Sequence, residues 1–265
     1  HTFAVFLYRR PYDQLSMSVA YPNLKVRLIG FLPGIMTPGG VTHQAIEDIS
    51  VLRSVPNMTI FETGDATDVE TVLDATDDIH GPVYIRMLRG NIPRLFPEDE
   101  PFCFNSARLL SEGGDITILS SGICTEEAMR AVKLLQAKGV SVKHLHVSTL
   151  KPFTDPKVLK ALKESKLAVT VENHQIIGRL GTAVADMIAE NGLGVKLTKI
   201  GIPDTYAQGA SKDYLMNKFG LNTRGIVDTI EKLLGKSLAV SEEDIAKLTL
   251  EPIKEFIKDA RLDAL

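Results

Sequence analysis

Short apolar runs alternate with stretches of helical periodicity twice along this chain, and that alternation limits the fold more than any other feature. In the first half Leu24–Gly30, Met58–Phe61 and Val83–Met87 read as strands. Between them, residues 42–54 place Ile46, Ile49 and Leu52 at helical spacing with Thr42 as N-cap, and Asp65–Asp74 reads as a second helix. In the second half the strands are Ile116–Ser120, Val142–Val147, Ala168–Glu172 and Lys196–Ile200. Helices Glu126–Ala137, Asp155–Lys163 and Leu180–Asn191 fall between those strands, and a last helix spans Thr223–Leu234. Strands that alternate with helices pair in parallel, and the helices cover both faces of the sheet. The expected fold class is α/β, with two αβα domains built on mostly parallel sheets.

The segment Asn91–Phe104 holds three prolines and several acids without periodicity, so it reads as the connection between domains. The expected division is a first domain over 1–95, a linker over 96–110, a second domain over 111–237 and a helical tail over 238–265. The chain enters at His1 directly on the hydrophobic run Phe3–Leu7, as though the first domain began upstream. A net charge of −3 with scattered basic residues argues against a nucleic-acid surface or a polybasic membrane patch. No apolar run approaches the roughly 18 residues that a membrane helix needs. Cys103 and Cys124 lack the CxxC spacing of a metal or redox site and read as two reduced thiols in the cytoplasm.

The strongest local feature is the Gly-rich segment Gly34–Gln44, GIMTPGGVTHQ. It follows a buried strand and precedes a helix, which puts it at the carboxyl end of a parallel sheet, where open α/β folds bind ligands. His43 then either moves a proton at a substrate oxygen or is a helix-terminal histidine satisfied by backbone. Phe3 and Phe6, three apart, form one aromatic wall or fill the core. Arg89, at the carboxyl end of its strand, meets an anionic ligand or a salt-bridge partner, whereas Arg86 reads as structural. His80 reads as a surface turn residue. His144 and His146 alternate along a strand without metal-ligand partners, and His174 ends a strand and reads as an interface residue. There is no GxxxxGK[ST] loop, no GxGxxG after a strand, no GxSxG elbow and no GDG motif with downstream asparagines, so no means of gripping a diphosphate is visible.

Thr42-His43-Gln44-Ala45-Ile46-Glu47-Asp48, continued by Leu52-Arg53-Ser54-Val55-Pro56-Asn57-Met58, resembles the pyrimidine-binding domain of transketolases. The aromatic segment from Thr2 to Gln14, and Gly81-Pro82-Val83-Tyr84-Ile85 with Leu88-Arg89-Gly90, are similar to the same domain. Val171-Glu172-Asn173-His174, Ile177–Gly181, Ile202-Pro203-Asp204 and Phe219-Gly220-Leu221 resemble the family's C-terminal domain.

The resemblance implies a thiamine-diphosphate-binding fold for the first half and a transketolase C-terminal domain for the second. It implies the C-terminal subunit of a split transketolase, with thiamine diphosphate as cofactor. Magnesium would be held mainly by an N-terminal subunit that carries the diphosphate-binding domain. The assembly would be a homodimer or heterotetramer acting on sugar phosphates, with no nucleic acid or membrane partner. On the same match Phe3 and Phe6, with Arg9 beside them, bind the aminopyrimidine, His43 contacts the reacting end of substrate, and Arg89 binds the sugar phosphate. Gly39 and Phe31 stand where many transketolases have an aspartate and a histidine, which opens the way to a modified or unphosphorylated sugar. The glutamate that activates the aminopyrimidine would lie upstream of His1. The weighed alternatives are the β subunit of a 2-oxo-acid dehydrogenase and a non-catalytic assembly subunit of the same fold.

Overall fold

The computed structural model describes residues 1–250. The first half runs β1 (Thr2–Phe3), α1 (Ala4–Arg9), α2 (Tyr12–Gln14, continued as a π-helical turn over Leu15–Ala20), β2 (Arg27–Phe31), α3 (Asp48–Arg53), β3 (Thr59–Glu62), α4 (Ala66–Thr71) and β4 (Val83–Met87). The second runs β5 (Arg108–Ser111), β6 (Ile116–Ser120), α5 (Cys124–Ala137), β7 (Val142–His146), β8 (Thr149–Lys151), α6 (Pro156–Lys163), β9 (Leu167–Gln175), α7 (Leu180–Glu190), β10 (Lys196–Ile202), α8 (Lys212–Lys218), α9 (Thr223–Leu234) and α10 (Glu242–Lys247). Two five-stranded sheets result, ordered β1-β2-β4-β3-β8 and β10-β9-β6-β7-β5. Each is parallel except for one antiparallel edge strand, β8 against β3 and β5 against β7. Every residue of β3, β4, β6 and β7 is buried, as a sheet covered on both faces requires.

The helix expected over 42–54 starts only at Asp48, and Thr42 does not cap it; Glu47 stands at that position. Gly40–Thr42 form a single 3-10 turn, entered through a left-handed Gly40 at φ +70°. The carbonyls of Val41 and Gln44, which a continuous helix would use, accept instead from the Arg9 guanidinium at 3.0 and 3.4 Å. Elsewhere the ends follow ordinary capping chemistry. The Asp65 carboxylate accepts from Asp68 N to start α4, and Asp155, with Pro156 behind it, starts α6.

The connection between halves ends at residue 107 and not at 110, because Arg108–Ser111 pairs with β7. The other oxygen of Asp65 anchors that connection by accepting from the amides of Leu95 and Phe96 at 2.9 and 2.8 Å. The halves are also joined through β8, a strand of the second half that closes the edge of the first sheet. One hydrophobic cluster runs through both, from Ala4, Val5 and Tyr84 to Leu150, Leu180 and Val184. The tail expected over 238–265 is helical at Glu242–Lys247, capped reciprocally by Ser241 and Asp244. Its residues from 251 lie outside the described ones. No helix among the described residues is long and apolar enough to cross a membrane.

Candidate active site

Parallel pairing of β1 with β2 sets Phe3 beside Phe31, so the chain leaves both strands at the same end of the sheet. From β1 it passes straight into α1, whose Ala4, Val5 and Tyr8 face the core. Phe3 and Phe6 are half-buried and packed against the core. From β2 it passes into the Gly-rich loop, which brings the His43 imidazole edge-on to both rings. The centroid distances are 6.1 Å to Phe3 and 5.2 Å to Phe6, with 5.9 Å between the phenylalanines. Phe3, Phe6 and His43 therefore form one aromatic corner at the carboxyl ends of β1 and β2.

His43 Nδ1 lies 2.9 Å from Thr42 Oγ1, which orients the ring. A side chain at Gly39 would stand 2.8 Å from His43 Cβ and Cγ, so the imidazole holds this position only beside a glycine. That contact is a local reason for the departure at Gly39. Arg9 does not join the aromatic corner. Its Nε donates to Glu47 Oε1 at 2.8 Å, and its other nitrogens reach the loop carbonyls, so it braces the loop from beneath. Arg10 instead lies over the Phe6 ring, 4.6 Å from its centroid.

Arg89 lines a cavity of ≈ 200 Å³ whose walls include Leu32, Met36, Leu88, Glu126 and Lys212. None of Phe3, Phe6 or His43 borders it, although Met36 belongs to the loop that carries His43. Behind the loop lies a buried polar seam between the halves. Arg86 donates to Asp48 Oδ2 at 2.9 Å, to Glu62 Oε1 at 2.5 Å, and to the carbonyls of Ala45 and Asn173 at 2.8 and 3.0 Å. Glu62 also accepts from Ser121 and Arg179. Burial works against the Asp48 carboxylate, yet Arg86, His174 and the Tyr84 hydroxyl hold its pKa below the usual value. His174, at this seam, is pushed by burial down to about 4 and stays neutral. Burial raises Glu172 to about 8 despite the Gly181 amide bonded to it. His144 and His146 are buried on hydroxyls, at 2.8 Å from Ser120 Oγ and 2.8 Å from Thr125 Oγ1.

Two residues of the site were not singled out from sequence. Gln44, buried, donates through Nε2 to the carbonyls of Thr37 and Gln208, at 3.3 and 3.4 Å. Asn173 accepts from Ile35 N at 3.0 Å and donates to Pro33 O at 3.1 Å. The available signal was their polarity beside a histidine in each motif, which says nothing of a reach across some 140 residues.

Both halves of the chain match known domains. The transketolase pyrimidine-binding domain matches residues 1–94, and the transketolase C-terminal domain matches residues 105–226. The chain is 40% identical over 228 residues to a 6-deoxy-6-sulfo-D-fructose transketolase subunit of Clostridium sp. (strain MSTE9), covering 86% of this chain and 70% of that one. It is 31% identical to one of the apulose-4-phosphate transketolase subunits of Phocaeicola vulgatus, covering 88% and 75%. Among solved structures, a split gene transketolase described as an inactive β4 tetramer superposes with a TM-score of 0.81 at 34% identity, covering 88% of this chain and 75% of that one.

Proposed function

Because this chain belongs to the transketolase family and carries its pyrimidine-binding and C-terminal domains, we propose that it supplies the aminopyrimidine side of a thiamine-diphosphate site. An N-terminal subunit would complete that site, and the pair would transfer a two-carbon ketol unit between sugar phosphates. The observation that carries this reading is the aromatic corner of Phe3, Phe6 and His43. Two half-buried aromatic rings meeting at one corner suit a flat, weakly polar heterocycle, so the residues present fit the pyrimidine end of the cofactor. When bound, thiamine diphosphate supplies the electron sink for cleaving and forming the carbon–carbon bond.

The chain's own residues have narrower tasks. Phe3 and Phe6 hold the ring out of water, and Arg9 acts one step removed by bracing the loop. With Nδ1 turned to Thr42, His43 presents Nε2 to a substrate oxygen, where it donates or accepts a proton as charge develops. Arg89 meets the anionic end of the sugar, a phosphate or another acid group of like geometry. The diphosphate and magnesium fall to the partner subunit on this reading. The 6-sulfo and apulose relatives suit a modified sugar as well as an ordinary pentose phosphate.

Partner dependence is the direct test. Titration calorimetry of the full chain with thiamine diphosphate and magnesium is expected to show negligible binding. Binding and ketol transfer are expected to emerge when an N-terminal transketolase subunit is added. Micromolar affinity of the chain alone would overturn the divided site.

A further inference from the structure

The second half contributes no residue to the aromatic corner, yet it holds the loop that carries His43 at both ends and at its tip. The base of the loop is closed by Gly34 N donating to Ala45 O at 2.9 Å. Across that base lies the end of β9. The Asn173 side chain accepts from Ile35 N and donates to Pro33 O on one limb, at 3.0 and 3.1 Å. On the other limb Gln175 N donates to Ile46 O at 2.9 Å.

The fit around Asn173 is tight. Gly34 sits at φ +58°, and a Cβ there would fall 2.1 Å from Asn173 Oδ1. The side chains that flank the loop, Ile35 and Ile46, are fully buried in the hydrophobic cluster of the second half, with Ile200, Ile202, Ala207 and Leu215. At the tip, Gln208 O accepts from Gln44, and Gly209 lies so close to Pro38 that an added Cβ would stand 3.1 Å from its carbonyl oxygen. Between these anchors His43 has few degrees of freedom left.

We infer that Asn173, on the C-terminal domain, is a positioning residue for His43, and that the end of β9 is a clamp setting where the imidazole stands. A catalytic group displaced by about an ångström loses much of its effect, and here the displacement would pass from Pro33 and Ile35 through the loop. Loss of the two Asn173 side-chain bonds leaves the aromatic wall of Phe3 and Phe6 in place. The expected signature is therefore lower turnover without weaker cofactor binding. The inference rests on reading the aromatic corner as an active site.

The test compares Asn173→Ala with wild type in two ways. In the full chain alone, hydrogen exchange of the amides over 35–44 is expected to quicken about tenfold, while β6 and β7 exchange as before. In the enzyme reconstituted with an N-terminal subunit, turnover is expected to fall about tenfold or more with the KM for thiamine diphosphate unchanged. Should Asn173→Ala fail to fold, Asn173→Asp carries the same comparison with a smaller loss, since it keeps the acceptor for Ile35 N and lacks the donor for Pro33 O. Exchange that is unchanged over 35–44, or that rises equally throughout both sheets, would overturn the clamp. So would a quickened loop with undiminished turnover in an enzyme that His43→Ala disables. If His43→Ala leaves turnover intact, the active-site reading itself falls, and the inference falls with it.

Discussion

Arg89 lines a cavity and His43 stands apart from it in the aromatic corner, and they are expected to fail in different ways. If Arg89 meets the acid group of the sugar, far from the reacting carbonyl, Arg89→Ala should raise the KM for acidic sugars and spare neutral analogues. Loss of a charged hydrogen bond of about 2–3 kcal/mol corresponds to roughly a 30- to 150-fold loss of specificity. Steady-state kinetics on matched phosphorylated and free sugars checks this, and equal losses on both would assign Arg89 to the fold. Phe3, Phe6 and His43 stand out locally in the sequence, by a three-residue spacing or by a Gly-rich turn at a strand's end, while the roles proposed for them come from the resemblance. The contacts of Arg9 and Asn173 were not legible. Each works by reaching a backbone carbonyl on another segment, and no spacing along the chain records which carbonyl a long or polar side chain will find.

At the scale of the element, β9 gathers two groups that titrate in opposite senses. Glu172, raised from 4.5 to about 8, is neutral in the folded chain at neutral pH, with Arg179, Lys199 and Arg86 too few to offset its burial. A carboxyl raised on folding stabilises below its unfolded pKa and loses that contribution as pH rises towards 8. His174, lowered from 6.5 to about 4, works the other way and destabilises as pH falls through that window. Between pH 4.5 and 6.5 the two oppose each other, and above 6.5 Glu172 acts alone. Stability is expected to fall by about 1.5 kcal/mol between pH 6.5 and 8, and Glu172→Gln should flatten that slope. Urea midpoints at the two pH values for both proteins measure it; equal slopes would show that Glu172 is ionised when folded. The long strands were legible from their apolar runs. The edge strands β5 and β8, four and three residues long, were not, since an antiparallel edge is defined by its partner and carries little periodicity of its own.

For the whole molecule, two domains were read correctly from the doubled alternation of strands and helices. Their degree of fusion was not, because a cluster shared by Ala4, Leu150 and Val184 leaves no composition shift at any boundary. A shared core and an exchanged strand make the halves one cooperative unit. The chain is expected to unfold in a single transition, with far-ultraviolet dichroism and tyrosine fluorescence coincident and the calorimetric enthalpy equal to the van't Hoff value. Two separated transitions would show that the halves hold themselves together independently.

The strand β8 also bears on how such chains can be recombined. A crossover of genes placed in the irregular stretch near residue 100 looks harmless, since it cuts no strand or helix. It would nonetheless strip Thr149–Lys151 from the first sheet and leave β3 with an open edge beside the buried Ile60 and Phe61, the kind that recruits foreign strands and precipitates. A pyrimidine-binding half moved into another scaffold must therefore bring its three-residue selvedge along, or meet a host that already weaves one in the same place.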